Sequence, residues 1–154
     1  MPHSILIADD YDDNRELLRL ILEMSGYSII EARNGREAVE AARDNSFSVA
    51  LIDLSMPVLD GYGALRELRA DMKTQRLPCI ALTAFAGEHD RQRAIGAGFD
   101  AFIAKPYQAQ DLLQTIEHLI QNAHGTNEIN GDGGSADNTP AYQLFANDTT
   151  NVTG

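Results

Sequence analysis

Five residues of this 154-residue chain have the chemistry for a shared site: Asp9, Asp10, Asp53, Thr83 and Lys105. Each stands where a short apolar run stops: Ser4–Ala8 ahead of the Asp9-Asp10 pair, Val49–Ile52 ahead of Asp53, Cys79–Leu82 ahead of Thr83, and Asp100–Ala104 ahead of Lys105. Singly, each has an ordinary explanation, since strand-end aspartates cap turns, a threonine suits a strand and a lysine suits solvent. Together they need another. Two carboxylates about 4 Å apart repel by roughly 4 kcal/mol at an effective dielectric near 20. A divalent cation reverses that sign, and oxygen-only ligands with room for water favour Mg2+ over zinc. Lys105 adds a fixed positive charge. Such a site suits a phosphoryl group, with cation and ammonium on its oxygens, the Thr83 hydroxyl as donor and a carboxylate as nucleophile.

Bringing these residues to one place requires a sheet in which the runs are neighbours. The stretch from Val49 to Pro57, closing with Asp60-Gly61, is the centre of that arrangement. A short, fully apolar run closed by turn signals reads as a buried parallel strand. Strands are expected at Ser4–Ala8, Ser28–Ala32, around Val49–Asp53, at Cys79–Thr83 and at Asp100–Ala104. Helices are expected between and after them. The first offers Asp12, Asp13 and Asn14 as N-caps, places Leu17, Leu18, Ile21 and Leu22 on one face, and stops at Gly26. The second starts at the Asn34-Gly35 turn and carries Ala38, Val39, Ala41 and Ala42. The third runs from about Tyr62 to Met72 with Leu65 and Leu68 inward. The fourth, Glu88–Ala97, is short and weakly apolar and stops at Gly96-Ala97-Gly98. The last, about Ala109–Ala123, has a clear face of Leu112, Leu113, Ile116, Leu119 and Ile120. Five alternations of strand and helix imply an α/β fold: a doubly wound, five-stranded parallel sheet with helices on both faces. Right-handed crossovers and one reversal of winding give a flavodoxin-like order, 2-1-3-4-5. Ligands of such sheets bind at the carboxyl edge, where all five polar residues fall.

Composition narrows the function classes. A formal net charge of −11 argues against broad nucleic-acid binding or attachment to an anionic membrane, both of which need basic surface. No apolar run is long enough to span a bilayer, and the start at Met1–Ser4 shows neither the basic region nor the cleavage site expected of a signal peptide. The single cysteine, Cys79, excludes an internal disulfide and fits the reducing cytoplasm; within an apolar strand it reads as inert core. His3, His89, His118 and His124 show no metal-ligand spacing. Neither Gly61-Tyr62-Gly63 nor Gly96-Ala97-Gly98 completes a dinucleotide fingerprint, and no P-loop is present. Residues 1–123 form one expected domain. Residues 124–154 read as a polar, disordered tail, rich in Gly, Asn, Thr and Asp, with four acidic residues and no Lys or Arg. Only Ala141–Ala146 has the apolar content to dock on anything. The Asn-X-Thr triplets at Asn147 and Asn151 mean little without a secretory signal.

On these residues the chain resembles a response-regulator receiver domain of two-component signalling, of the stand-alone type. The resemblance rests on Asp9-Asp10, the run from Asp53 to Gly61, Leu82-Thr83-Ala84, and the run from Gly98 to Pro106, and covers about residues 4–123. It implies that Asp53 is the phosphoacceptor. Asp10, Asp53 and the backbone carbonyl of Ser55 are the implied direct Mg2+ ligands, with Asp9 acting chiefly through water. Thr83 and Lys105 are implied to sense and neutralise the phosphoryl group, and the Lys105-Pro106 bond is permitted to be cis. Phe102 falls at the switch-aromatic position, without the hydroxyl that a tyrosine would bring. Ser55 and Phe85 flank the implied path of the hydrolytic water.

The resulting expectation is a single-domain regulator, not an enzyme beyond its own aspartyl phosphorylation and dephosphorylation. It takes a phosphoryl group from a histidine kinase or histidine phosphotransfer protein. It signals as a monomer or phosphorylation-dependent dimer, through a protein partner docked on the face of the fourth helix, fifth strand and last helix, or by onward phosphotransfer. No DNA-binding output domain is expected after residue 123. Two other classes stay open at this point: an unphosphorylated scaffold that uses the same face constitutively, and a flavodoxin-like small-ligand binder. The second lacks a phosphate-cradling loop after its first strand.

Overall fold

The computed structural model describes residues 2–123 and the pair Gln143–Leu144. The strands are β1 (Ser4–Ala8), β2 (Ser28–Ala32), β3 (Val49–Asp53), β4 (Cys79–Thr83), β5 (Ala101–Ala104) and β6 (Gln143–Leu144). The helices are α1 (Asp12–Met24), α2 (Gly35–Asp44), α3 (Gly61–Ala70), α4 (Glu88–Ala97) and α5 (Ala109–Ala123). The sheet order is β2-β1-β3-β4-β5-β6, and the first five strands are mutually parallel in the expected 2-1-3-4-5 order. The sixth was not expected. It joins the outer edge of β5 antiparallel, pairing Ala101 with Leu144 and Phe102 with Gln143. The detached tail expected from residue 124 therefore has one paired point; the rest of that expectation, with His124, Asn147 and Asn151, lies outside the described residues.

Strand side chains alternate between two cores, as the two-residue period of a strand demands. Leu6, Ala50, Ile52, Ala81 and Phe102 pack with α2, α3 and α4 through Val39, Leu65, Leu68 and Ala94. Ile5, Leu51, Ile80, Leu82 and Ile103 pack with α1 and α5 through Leu18, Leu22, Leu112 and Ile116. With both faces covered, every residue of β3 and β4 is buried, which is why these strands read as unbroken apolar runs. Among the described residues no helix is long and apolar enough to cross a membrane.

Local chemistry sets the helix boundaries. The Asn34 side chain accepts from the Glu37 N–H at 2.8 Å, and the Glu37 carboxylate accepts from the Arg33 N–H at 2.8 Å, closing a reciprocal cap at the start of α2. Asp60 caps α3 through the Gly63 N–H at 2.8 Å, so α3 begins at Gly61 rather than Tyr62, and it ends at Ala70, short of Met72, where Asp71 turns to extended backbone. A Cβ on Gly61 would lie 2.6 Å from the Asp53 carbonyl oxygen; only glycine lets α3 start against the end of β3. Gly26 and Gly98, at φ 95° and 108°, supply the left-handed residues after α1 and α4. Two expectations for α1 are corrected. Its N-cap is Tyr11, without a side-chain cap, and Asp12 and Asp13 lie in the first turn, where they favour the positive end of the helix dipole. Leu17 is exposed, because the 3.6-residue period that turns Leu18 and Leu22 inward turns Leu17 out.

Candidate functional site

The site forms at the carboxyl ends of β1, β3, β4 and β5, because parallel pairing of these strands leaves their last residues side by side. Asp53, the last residue of β3, is buried. One of its oxygens accepts from the Ser55 N–H at 2.8 Å, and the other accepts from Lys105 Nζ at 2.6 Å. Asp9 is fully buried; one oxygen accepts from the Tyr11 N–H at 2.9 Å and the other lies 3.4 Å from Lys105 Nζ. One ammonium thus spans two carboxylates. Thr83 is buried, and its hydroxyl oxygen accepts from the Phe85 N–H at 2.9 Å. The backbone of Lys105 is tied to the same strand end through its N–H to the Thr83 carbonyl at 2.8 Å, and the following Lys105-Pro106 bond is cis.

The charges tune one another. Burial, and next to it the negative charge of Asp53, hold the Asp9 carboxyl above its usual range, against the Tyr11 N–H and Lys105, which pull it down. Burial alone would lower Lys105, but its hydrogen bond to Asp53 and the charges of Asp53 and Asp9 outweigh that and raise it, so it stays an ammonium. Tyr107 is pushed up to about 12, by burial and then by the charge of Asp9, which keeps its phenol neutral.

Not every implied residue converges. Asp10 is exposed, and among the described residues no three Asp, Glu, His or Cys side chains gather closely enough to hold a metal. The oxygen donors at this edge, from Asp9, Asp53 and the Ser55 backbone, are still of the hard type that suits Mg2+. Phe102 is buried with the α2–α3–α4 cluster. Ser55 is exposed, as is Phe85, whose ring keeps 64% of its surface in solvent.

The loop from Ser55 to Asp60 is built for close quarters. Val58 has φ 69°, and the Leu59 N–H bonds the Pro57 carbonyl at 2.7 Å around it, a strained three-residue turn for a β-branched side chain. The Gly35 N–H then anchors this loop to the start of α2 through the Leu59 carbonyl at 2.9 Å.

One residue of the site had no signal in the motifs. Arg15 is buried and donates to the Asp9 carbonyl at 2.9 Å, to Asp12 at 2.6 Å and to Glu31 at 3.0 Å. It ties β1, α1 and β2 together directly behind the Asp9-Asp10 turn. Its i,i+3 spacing from Asp12 hints at a surface pair. The contacts with Glu31 and the Asp9 carbonyl are tertiary and leave no local pattern.

Known proteins resemble this chain in sequence and fold. The family model of the response regulator receiver domain matches residues 5–117. The polar-differentiation response regulator DivK of Brucella anthropi is 35% identical over 123 residues, covering 80% of this chain and 100% of that protein. The transcriptional regulatory protein SrrA of Staphylococcus aureus is 36% identical over 126 residues, 82% of this chain but 51% of that protein. Among solved structures, the receiver domain of the sensor histidine kinase PA1611 of Pseudomonas aeruginosa, described with a magnesium ion coordinated in its active-site cleft, has a TM-score of 0.74 and 34% identity and covers 78% of this chain and 98% of that one. With the fold and these relatives in agreement, the chain belongs to the response regulator receiver domain family.

Proposed function

We propose that Asp53 accepts a phosphoryl group from a phosphohistidine on a histidine kinase or histidine phosphotransfer protein, and that the chain then signals through a protein partner or passes the group onward. The observation that carries this reading is the buried Asp53 carboxylate with Lys105 Nζ at 2.6 Å, at the end of the central strand. An Asp53 oxygen forms the new P–O bond as the P–N bond to the donor imidazole breaks. Lys105 then follows the charge from the carboxylate to the phosphoryl oxygens, and the Thr83 hydroxyl donates to them. Mg2+, when bound, neutralises charge on those oxygens, and positioning with charge neutralisation supplies most of the catalysis. Asp10, Asp53 and the Ser55 carbonyl are the ligands we assign, with Asp9 acting through water; Asp10 has to turn in from solvent to serve. The chemistry is regulatory, confined to the protein's own aspartyl phosphate.

Thr83 and Phe102 form the switch in this reading. Movement of Thr83 toward the phosphoryl group favours the buried position of Phe102, which the ring already occupies in the described state, so phosphorylation shifts a population rather than creating a new conformer. The readout surface is the α4–β5–α5 face, in the cytoplasm, on a monomer or a phosphorylation-dependent dimer. The match to DivK spans that protein's whole length, so in that relative a receiver fold of this kind makes up the whole regulator. Ser55 and Phe85 we assign to control of dephosphorylation. Ser55 is too short to position a water well, and the exposed, apolar Phe85 shields its approach, so the phosphorylated state is long-lived.

The decisive experiment is intact-mass analysis after incubation with acetyl phosphate and Mg2+. A gain of one phosphoryl group is expected for the wild type and none for Asp53→Asn, whose amide is nearly isosteric but a poor nucleophile. Stoichiometric labelling of Asp53→Asn overturns the assignment. No labelling of a folded wild type favours the scaffold instead. Asp10→Asn is expected to weaken Mg2+ binding in a metal titration by removing a full ligand charge.

A further inference from the structure

The outer edge of β5 is where the parallel sheet ends, and an unpaired edge presents a row of N–H and C=O groups ready for another strand. In this protein that edge is taken by β6, antiparallel, with Ala101 opposite Leu144 and Phe102 opposite Gln143. Two independent features point to the same segment. Gln143–Leu144 is the strand, and it lies at the centre of Ala141–Ala146, the one stretch of residues 124–154 with clustered apolar side chains. Residues 124–142 link it to the end of α5, and 19 residues reach up to roughly 65 Å when extended, ample for the breadth of a small domain.

We infer that the β5 edge is a strand-accepting surface and that its resident occupant is the chain's own segment centred on Gln143–Leu144. A two-residue pairing is weak in isolation. The tether compensates, because a segment on the same chain meets its edge at an effective concentration of about millimolar. The segment is thus a built-in competitor: an external partner that adds a strand to β5 must first displace it, through main-chain pairing in the manner of β-augmentation. Because Phe102 lies within the paired residues, the competitor sits on the strand that carries the proposed switch. The pairing itself does not depend on phosphorylation, so its test stands apart from that of Asp53.

The test is amide hydrogen exchange on the full-length chain, comparing wild type with Leu144→Pro, in which proline removes a strand N–H and disfavours pairing. Exchange within Ala101–Ala104 is expected to speed up by about fivefold in the variant, in keeping with the loss of about one net hydrogen bond. The buried face of α5 serves as an unchanged internal reference. A synthetic peptide of residues 139–148 at about millimolar should restore protection in the variant. Equal β5 exchange in wild type and variant overturns the proposal. Protection that falls on dilution of the wild type overturns it as well, because it assigns the strand to a second copy.

Discussion

α4 and α5 both neighbour the end of the sheet, yet they are held in opposite ways. α5 buries Leu112, Thr115, Ile116, Leu119 and Ile120 against the sheet, whereas α4 buries only Ala94. At roughly 1.5–3 kcal/mol for each large aliphatic side chain removed from water, α5 is anchored by several times the apolar contribution of α4. What holds α4 lies at its ends and rim. Gly98 closes its C-terminus, Phe99 beyond it packs edge-on against Tyr62 with ring centroids 5.9 Å apart, and Arg93 lies 4.2 Å over the Tyr62 ring. The contrast teaches that a firmly anchored helix and a lightly anchored one adjoin at this end of the sheet. The helix that can shift at low cost is the one joined to Thr83 through the short loop that carries Phe85.

The largest expected effect tests that contrast directly. Ile116→Ala on α5 should destabilise the domain by about 2–5 kcal/mol, the range for emptying a fully buried aliphatic site. Ile95→Ala on α4, a residue 37% exposed, should stay within about 0.5 kcal/mol. Urea unfolding of the two variants decides it, and similar losses would erase the difference between the helices.

Next comes the loop that leads into α4. Phe85→Glu and Ser55→Asn should each speed the decay of the phosphorylated protein in excess Mg2+, by up to roughly 10²-fold, the scale of a positioned proton-transfer or water-orienting group. Decay within seconds in the wild type, unchanged in both variants, would remove Phe85 and Ser55 from the account of dephosphorylation.

A third test moves to the tightly tied corner behind the acidic site. Arg15→Leu leaves the Asp9 carbonyl without its buried donor and should cost about 1–3 kcal/mol. It should also weaken Mg2+ binding beyond what the fold loses, since Arg15 holds the turn on which Asp9 and Asp10 stand. Unaltered metal affinity in a folded variant would restrict Arg15 to architecture.

The smallest effect belongs to the seam between α2 and α3. There Arg36 grips Glu67 with two hydrogen bonds of 2.8 and 2.7 Å, which hold the Glu67 carboxyl below its usual range. A carboxylate whose folded pKa is depressed adds stability above its unfolded pKa and loses it as the pH falls through the folded value. Glu67→Gln should therefore lower the melting temperature slightly at pH 7 and not at all in acid below that value. A difference that persists in acid would mean that the side chains matter there for packing rather than charge.

Much of the fold is legible in the sequence alone. Asp53 could be placed because an apolar run that stops at a carboxylate marks the end of a buried strand, and the parallel order followed from five alternations. Thr83 and Lys105 came with their strands for the same reason. What escaped depends on three-dimensional neighbours. Arg15 has its decisive partners on β1 and β2, and nothing in its helical spacing points to them. Asp10 carries the right chemistry beside the right strand, and its exposure is a feature no local pattern shows. Leu17 was misplaced by a single helical position. β6 was hinted at by composition alone, because two residues are too few to show strand periodicity.

Cys79, finally, equips the molecule with its own clock. It is the only cysteine, fully buried at the first position of β4, with its S–H on the Leu77 carbonyl at 3.3 Å and its backbone N–H on the Asp100 carboxylate at 2.9 Å. Burial pushes its thiol up to about 12, so the closed protein offers a reagent neither access nor thiolate. A thiol-specific dye can therefore mark the chain only during the moments when β4 parts from its neighbours, and the rate of marking counts those openings in an unmodified protein. Timed beside the exchange of α4 amides, that count reveals how far the restlessness of one helix travels into the sheet.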